Sequence, residues 1–223
     1  MSEVVHWIKT GERGARAEFT DSDLITALLL IKENPMGRYK LQTELKLSDS
    51  STKSLLNYCK KKGLLEAKVG RSGHYLTKKG KELVILISKL ILKHDKCEHE
   101  VFPSKQHYYV LLTTNKKNLE QTDVIIKPSW KLRDIAISYG GDAILFLKIN
   151  LKGKIQFPEK DIKIENYFPE FETEFAKDIE EYLQPMNYIL IVGANEMEIA
   201  RKGAIITGLN LVEEFIRYVH QEI

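Results

Sequence analysis

The chain has 223 residues, 43% of them apolar, with a formal charge of +3 and two cysteines. This is the composition of a packed globular protein, and it excludes fibrous, disordered and disulfide-scaffolded classes. The longest strongly apolar stretch, Leu83 to Leu92, is interrupted by Ser88 and Lys89 and is about half the roughly 20 residues needed to cross a bilayer. The amino terminus lacks the basic start, apolar run and small-residue cleavage site of a secretory signal, so the expectation is a cytoplasmic protein with no membrane partner, in which Cys59 and Cys97 are unpaired thiols.

The modest net charge conceals a division along the chain. Met36 to Lys93 holds 14 Lys/Arg against 4 Asp/Glu, whereas Met1 to Pro35 holds 4 against 6 and His94 to Ile223 holds 16 against 21. A strongly basic middle segment in an otherwise acidic chain points to a polyanionic partner for that segment.

Thr20-Asp21-Ser22-Asp23 is a helix-start cluster, and Leu24, Ala27, Leu28 and Ile31 behind it keep helical spacing up to Asn34-Pro35. After a turn at Met36-Gly37, Leu41 and Leu45 mark a short second helix. Leu47-Ser48-Asp49 opens a third, from about Asp49 to Lys62, with Leu55, Leu56 and Cys59 inward and Gly63 at its left-handed terminus. Leu64 to Val69 and His74 to Leu76 read as paired strands around Gly70-Arg71-Ser72-Gly73, and Thr77 caps a fourth helix from Lys78 to about Leu92.

The polar stretch from His94 to Gln106 reads as a linker, and His107 to Thr113 as a strand. Ser129 caps a helix ending at Gly140-Gly141, Ala143 to Leu151 and Lys154 to Phe157 form a hairpin, and Glu170 to Leu183 is a helix. Tyr188 to Val192 is a buried strand, Gly193-Ala194-Asn195 a turn, and the chain is mostly helical from Glu196. The resulting division is residues 1–93 with a core at 20–92, a linker at 94–106, and an α/β sandwich-type domain at 107–223, an α+β chain as a whole.

Residues 20 to 92, with Leu64-Leu65-Glu66 and Tyr75-Leu76-Thr77-Lys78-Lys79-Gly80, resemble the DNA-binding domain of prokaryotic winged-helix regulators. In length and layout the whole chain also resembles archaeal winged-helix proteins whose carboxy-terminal domain has no established function. The resemblance implies a winged helix-turn-helix that reads duplex DNA; beside it the expectation is a carboxy-terminal domain that senses a small-molecule effector or mediates assembly, a homodimer because one winged helix reads only a half-site, and neither cofactor nor catalysis. A recognition helix needs small polar residues at its start to enter the roughly 12 Å major groove. Ser50, Ser51, Thr52, Lys53, Ser54 and Asn57 supply them, Asn57 for adenine and Lys53 for guanine or phosphate. Lys60, Lys61 and Lys62, with Lys68, Lys78, Lys79 and Lys81, surround that face as phosphate contacts. Arg71, with Ser72 and His74, is expected at the tip, along the backbone or in the minor groove. Leu83 to Leu92 is expected at the dimer interface or against the second domain.

The same basic helix also suits a protein or RNA partner without sequence-specific DNA binding, since winged helices serve as interaction modules as well. His94, Cys97 and His99 are zinc-ligand types at a spacing that fits a solvated linker equally well. Asn195 with Glu198 makes a helix cap or, at a helix amino terminus, a ligand contact. Lys131 and Arg133 either grip an acidic effector or are surface charge. No nucleophile elbow, metalloprotease helix or phosphate-binding lysine loop occurs.

Overall fold

The computed structural model describes residues 19–67, 73–114, 128–158 and 162–211. They fall into two compact units, with the change-over between Ile87 and Ser88.

In the first unit, α1 (Asp21–Glu33) is held at its start by a capping box. The Thr20 N–H donates to Asp23 Oδ2 at 2.8 Å and the Asp23 N–H to Thr20 Oγ1 at 3.3 Å. Its Leu24, Ala27, Leu28 and Ile31 are buried with Leu41 and Leu45 of α2 (Arg38–Leu45) and Leu55, Leu56 and Cys59 of α3 (Asp49–Lys61). Ser48 caps α3 by accepting from the Ser51 N–H at 3.0 Å. The chain then passes through Gly63, at φ +69°, into β1 (Leu65–Ala67). This strand pairs antiparallel with β2 (His74–Leu76), and α4 (Lys78–Leu90) follows.

Thr77 and Gly80 fix that last junction. The Thr77 hydroxyl donates to Gly63 O at 2.5 Å and accepts from the Gly80 N–H at 3.0 Å, while the Thr77 N–H donates to Leu64 O at 3.1 Å. Gly80 packs so closely that a Cβ there would collide with the Leu64 carbonyl oxygen. His74 ties the hairpin to the turn after α1, because its N–H donates to Met36 O at 2.8 Å and its Nδ1 lies 3.2 Å from the same oxygen.

The second unit is built on one five-stranded antiparallel sheet in the order β3-β4-β7-β5-β6. Its strands are β3 (Ile91–Lys96), β4 (Gln106–Thr113), β5 (Ala143–Ile149), β6 (Ile155–Gln156) and β7 (Asn187–Ala194). β7 lies between β4 and β5, so it is buried along nearly all its length. Strand periodicity sends alternate side chains to opposite faces. Val110, Leu112, Leu190 and Val192 point to the side carrying α5 (Ser129–Ser138) and α7 (Met197–Leu209). Gly203 and Gly208 let α7 approach that side: a Cβ on Gly208 would sit 3.1 Å from Val110 and one on Gly203 3.2 Å from Val192. Tyr109, Leu111, Leu145, Leu147, Ile189 and Ile191 point to the other side, where α6 (Phe171–Asp178) supplies Phe171 and Phe175. The unit is therefore a helix-sheet-helix sandwich, mixed α+β with wholly antiparallel pairing.

Several boundaries differ from the sequence expectation. The helix expected to reach Leu92 stops at Leu90 and becomes β3 at once. The segment expected as a linker is the end of β3 and the return to β4. His94, Asp95 and Lys96 pair with Val110, Tyr109 and Tyr108, and Cys97 and Val101 enter the core. An edge strand is paired on one side only and tolerates charged letters, so its polarity imitates a linker. Gly193 and Ala194 finish β7 instead of turning, α6 ends at Asp178 with a 3-10 turn at Glu180–Tyr182 beyond it, and Ser129 lies inside α5, whose first cap position is Pro128.

Phe175 is fully buried and stacks on Phe171 with ring centroids 5.0 Å apart. Phe175→Ala is expected to cost about 3–5 kcal/mol of stability, read as a lower urea midpoint. Burial, the largest effect, lowers the His74 pKa below its ordinary 6.5. The unfolded chain therefore binds a proton more readily, and His74 contributes stability that is present above about 6.5 and lost as pH falls through the lower folded value. Urea midpoints measured across that window are expected to fall less steeply in His74→Gln than in the unsubstituted protein.

Candidate nucleic-acid interface

One face of α3 carries exposed polar and basic side chains along its whole length. Ser50, Lys53, Ser54, Asn57, Lys60 and Lys61 are all exposed, and their spacing repeats with the helical period, so they form a continuous stripe along α3. The opposite face of the helix carries the buried Leu55, Leu56 and Cys59. Lys62 stands beside the stripe with its ammonium 5.7 Å from the Tyr58 ring.

Two residues expected on that stripe are elsewhere. Ser51 and Thr52 are buried at 8% and 0% exposure; Ser51 Oγ is 2.7 Å from Ser48 Oγ, and the Thr52 hydroxyl donates to Ser48 O at 2.9 Å. Helical phase explains this, since Thr52 shares the face of Leu55, Leu56 and Cys59 at i+3, i+4 and i+7. They position the helix start and present nothing to a ligand. Arg71, Ser72 and Lys68 lie outside the described residues. His74 is engaged with Met36 and is half-buried.

The structure adds a group that the sequence reading did not single out, at the start of α2. Tyr39 is 72% exposed, the Arg38 guanidinium lies 4.9 Å from its ring centroid, and Lys40 beside it is exposed. Arg38 Nε also approaches Asp49 Oδ1 at 3.4 Å, which links the first turns of α2 and α3. The only signal was the run Arg38-Tyr39-Lys40 after Gly37.

A third basic group is the first turn of α4. Lys78, Lys79 and Lys81 are exposed there and no acidic residue accompanies them in that turn. Cations at the positive end of a helix dipole are unfavourable by a few tenths of a kcal/mol or more. An anion at that end relieves the cost.

The residues of the second unit considered for effector contact do not form one group. Lys131 lies 5.5 Å from the Trp130 ring, Arg133 Nη2 is 3.6 Å from Asp134 Oδ1, and Asn195 Oδ1 accepts from Lys105 Nζ at 2.7 Å. Asn195 is not a helix cap: α7 begins after Glu196 without a side-chain cap, and Glu198 pairs instead with Lys202 at 3.0 Å. His94, Cys97 and His99 also diverge. His94 Nδ1 is 2.8 Å from the Tyr108 hydroxyl, Cys97 is in the core, and His99 Nε2 is 2.8 Å from Asp178 Oδ2 on α6. Among the described residues no group of three or more His, Cys, Asp or Glu side chains is arranged to hold a metal ion. Burial pushes the Cys97 thiol up to about 11 and the Cys59 thiol to about 12, so both are protonated at neutral pH and poor nucleophiles.

An open cavity of about 480 Å³ lies beside His99 on the α6 side of the second unit, lined by Tyr167, Phe168, Phe171, Glu98, Glu100, Glu170 and Glu174. Its lining is aromatic and acidic, opposite in sign to the first unit's stripe. Among the described residues no helix is long and apolar enough to cross a membrane.

No curated protein matches this chain. Residues 104–211 match a family described as "Domain of unknown function (DUF4443)", from just before β4 to the end of α7. A solved structure, "Hypothetical protein PH0730 from Pyrococcus horikoshii OT3", is 22% identical and shares the fold over 90% of this chain and 99% of its own, with a TM-score of 0.66.

Proposed function

We propose that the first unit is a winged helix that binds duplex DNA, and that the protein is a transcriptional regulator of prokaryotic type. The observation that carries this reading is the stripe on α3, where Ser50, Lys53, Ser54, Asn57, Lys60 and Lys61 are all exposed on one face of a helix whose other face is core. A helix of this kind fits the major groove with small side chains at its entering end and lysines where the phosphates pass. Asn57 is the base reader, through its paired donor and acceptor. Lys53, Lys60 and Lys61 hold phosphates, and Arg38, Tyr39 and Lys40 on α2 and the lysines opening α4 extend the same electrostatic footprint. The second unit senses an effector or mediates assembly in this scheme. Divergence of Lys131, Arg133 and Asn195 favours assembly over capture of an acidic effector by those three residues.

Binding of the purified full chain to random duplex DNA, followed by fluorescence anisotropy across a salt series, tests the reading. Affinity is expected to fall steeply with salt, and Lys60→Ala and Lys61→Ala are each expected to reduce the slope of log K against log salt by about 1, one phosphate contact apiece. Selection of preferred sequences should then show Asn57→Ala losing about 1–3 kcal/mol of discrimination at one base pair. No binding at low salt overturns the proposal, and binding without any preferred sequence rejects base reading by Asn57.

A further inference from the structure

The outward face of α5 is apolar and charged in an order that matches itself when reversed. Leu132, Ile135 and Ala136 are buried. On the other side Trp130 is 54% and Ile137 51% exposed, and between them Arg133 and Asp134 are exposed with side chains 61% and 48% accessible. The four positions are spaced i, i+3, i+4 and i+7, so they form one stripe.

We propose that this stripe pairs with the same stripe of a second copy of the chain, antiparallel, about a two-fold axis passing between Arg133 and Asp134. In such an isologous contact each residue meets its counterpart's reflected position. Trp130 meets the partner's Ile137, Ile137 meets the partner's Trp130, and Arg133 and Asp134 form two reciprocal ion pairs. A second copy is the occupant because charge and apolar order are both self-complementary: the stripe carries one charge of each sign, and an antiparallel copy of itself satisfies both at this spacing. The Arg133 guanidinium approaches its sequence neighbour Asp134 at 3.6 Å. Of the apolar run Leu83 to Leu92, expected at the dimer interface or against the second domain, Leu83, Val84, Ile87 and Leu90 are buried and Ile85 is 56% exposed.

One helix stripe buries less than a standard interface of about 1,600 Å², so the dimer is weak, dissociating in the micromolar range. The assignment does not rest on the DNA-binding reading, and its test uses no DNA.

Sedimentation equilibrium of the full chain from micromolar to hundreds of micromolar is expected to show a monomer-dimer equilibrium. Arg133→Asp and Asp134→Arg each place like charges opposite one another and are expected to weaken self-association at least tenfold. The double variant carrying both changes restores both ion pairs and should dimerise again. Mixing the two single variants should give heterodimers, because all like-charge contacts then become unlike. All four positions are exposed, so the variants are expected to keep the parent's far-UV circular dichroism and melting temperature. A chain that stays monomeric throughout, a dimer indifferent to the single reversals, or single reversals that neither the double variant nor mixing rescues would each overturn the proposal.

Discussion

The placement of the basic helix depends on one close approach, the backbone of Gly80 against the carbonyl of Leu64. Leu64 lies between the end of α3 and β1, while Gly80 lies in the first turn of α4, so contact between them brings three elements to one point. Any side chain at position 80 would strike that carbonyl oxygen. Thr77 completes the joint, donating its hydroxyl to Gly63 O and its N–H to Leu64 O while accepting from Gly80 N–H. The run Tyr75-Leu76-Thr77-Lys78-Lys79-Gly80 thus has a mechanical meaning: a strand end, a cap, two outward lysines and a residue small enough for contact. Thus α3 is held at its far end by this joint, and at its start by the Ser48 hydroxyl, which accepts from the Ser51 N–H, by the Ser48 carbonyl, which accepts from the Thr52 hydroxyl, and by the Arg38–Asp49 approach.

The second unit depends in the same way on β7. Eight residues of that strand pair with β4 and six with β5, so the strand has no free edge and both its faces are core. Alternation then does the sorting, Ile189 and Ile191 to the α6 side and Leu190 and Val192 to the α7 side. A strand buried on both faces reads as a continuous apolar run, and Tyr188-Ile189-Leu190-Ile191-Val192 is one.

What the sequence made legible follows from where periodic signals are strong. The first three helices, the pairing of β1 with β2 and the Thr77 cap were readable because Leu24, Leu28 and Ile31, or Leu55, Leu56 and Cys59, keep helical spacing between recognisable caps, and because short strand-like runs stand on either side of a glycine-edged segment. The β3 edge was not, because Lys93, His94, Asp95 and Lys96 carry polar letters on a half-exposed strand, and because α4 passes into β3 at Leu90–Ile91 with no glycine or proline to mark the change. In the candidate interface, chemistry was legible but direction was less so. Treating Ser51 and Thr52 as outward relied on their polarity, while the phase of Leu55 and Leu56 already placed Thr52 inward. The α2 group Arg38-Tyr39-Lys40 was missed for the complementary reason: a helix of eight residues with only Leu41 and Leu45 buried offers too little periodicity to say which polar residues form a common surface.

Charge and apolarity are used differently in the two units, and this bears on what each unit does. In the first, the exposed cations of α3 and of the opening turn of α4 gather where few carboxylates lie among them, an arrangement with a repulsive cost that a stable core such as Leu24, Leu28, Leu41 and Leu55 offsets. In the second, several cations have a carboxylate close by: Lys105 with Asp142, Lys202 with Glu198, Lys96 with Glu98. Surfaces whose charges are already matched gain little from a polyanion, whereas unmatched cations lose their repulsion when phosphates arrive and counterions leave. The same reasoning explains why the α5 stripe suits a protein surface instead. Its one positive and one negative group cancel for a uniformly charged partner, and reward only one that repeats the pattern in reverse.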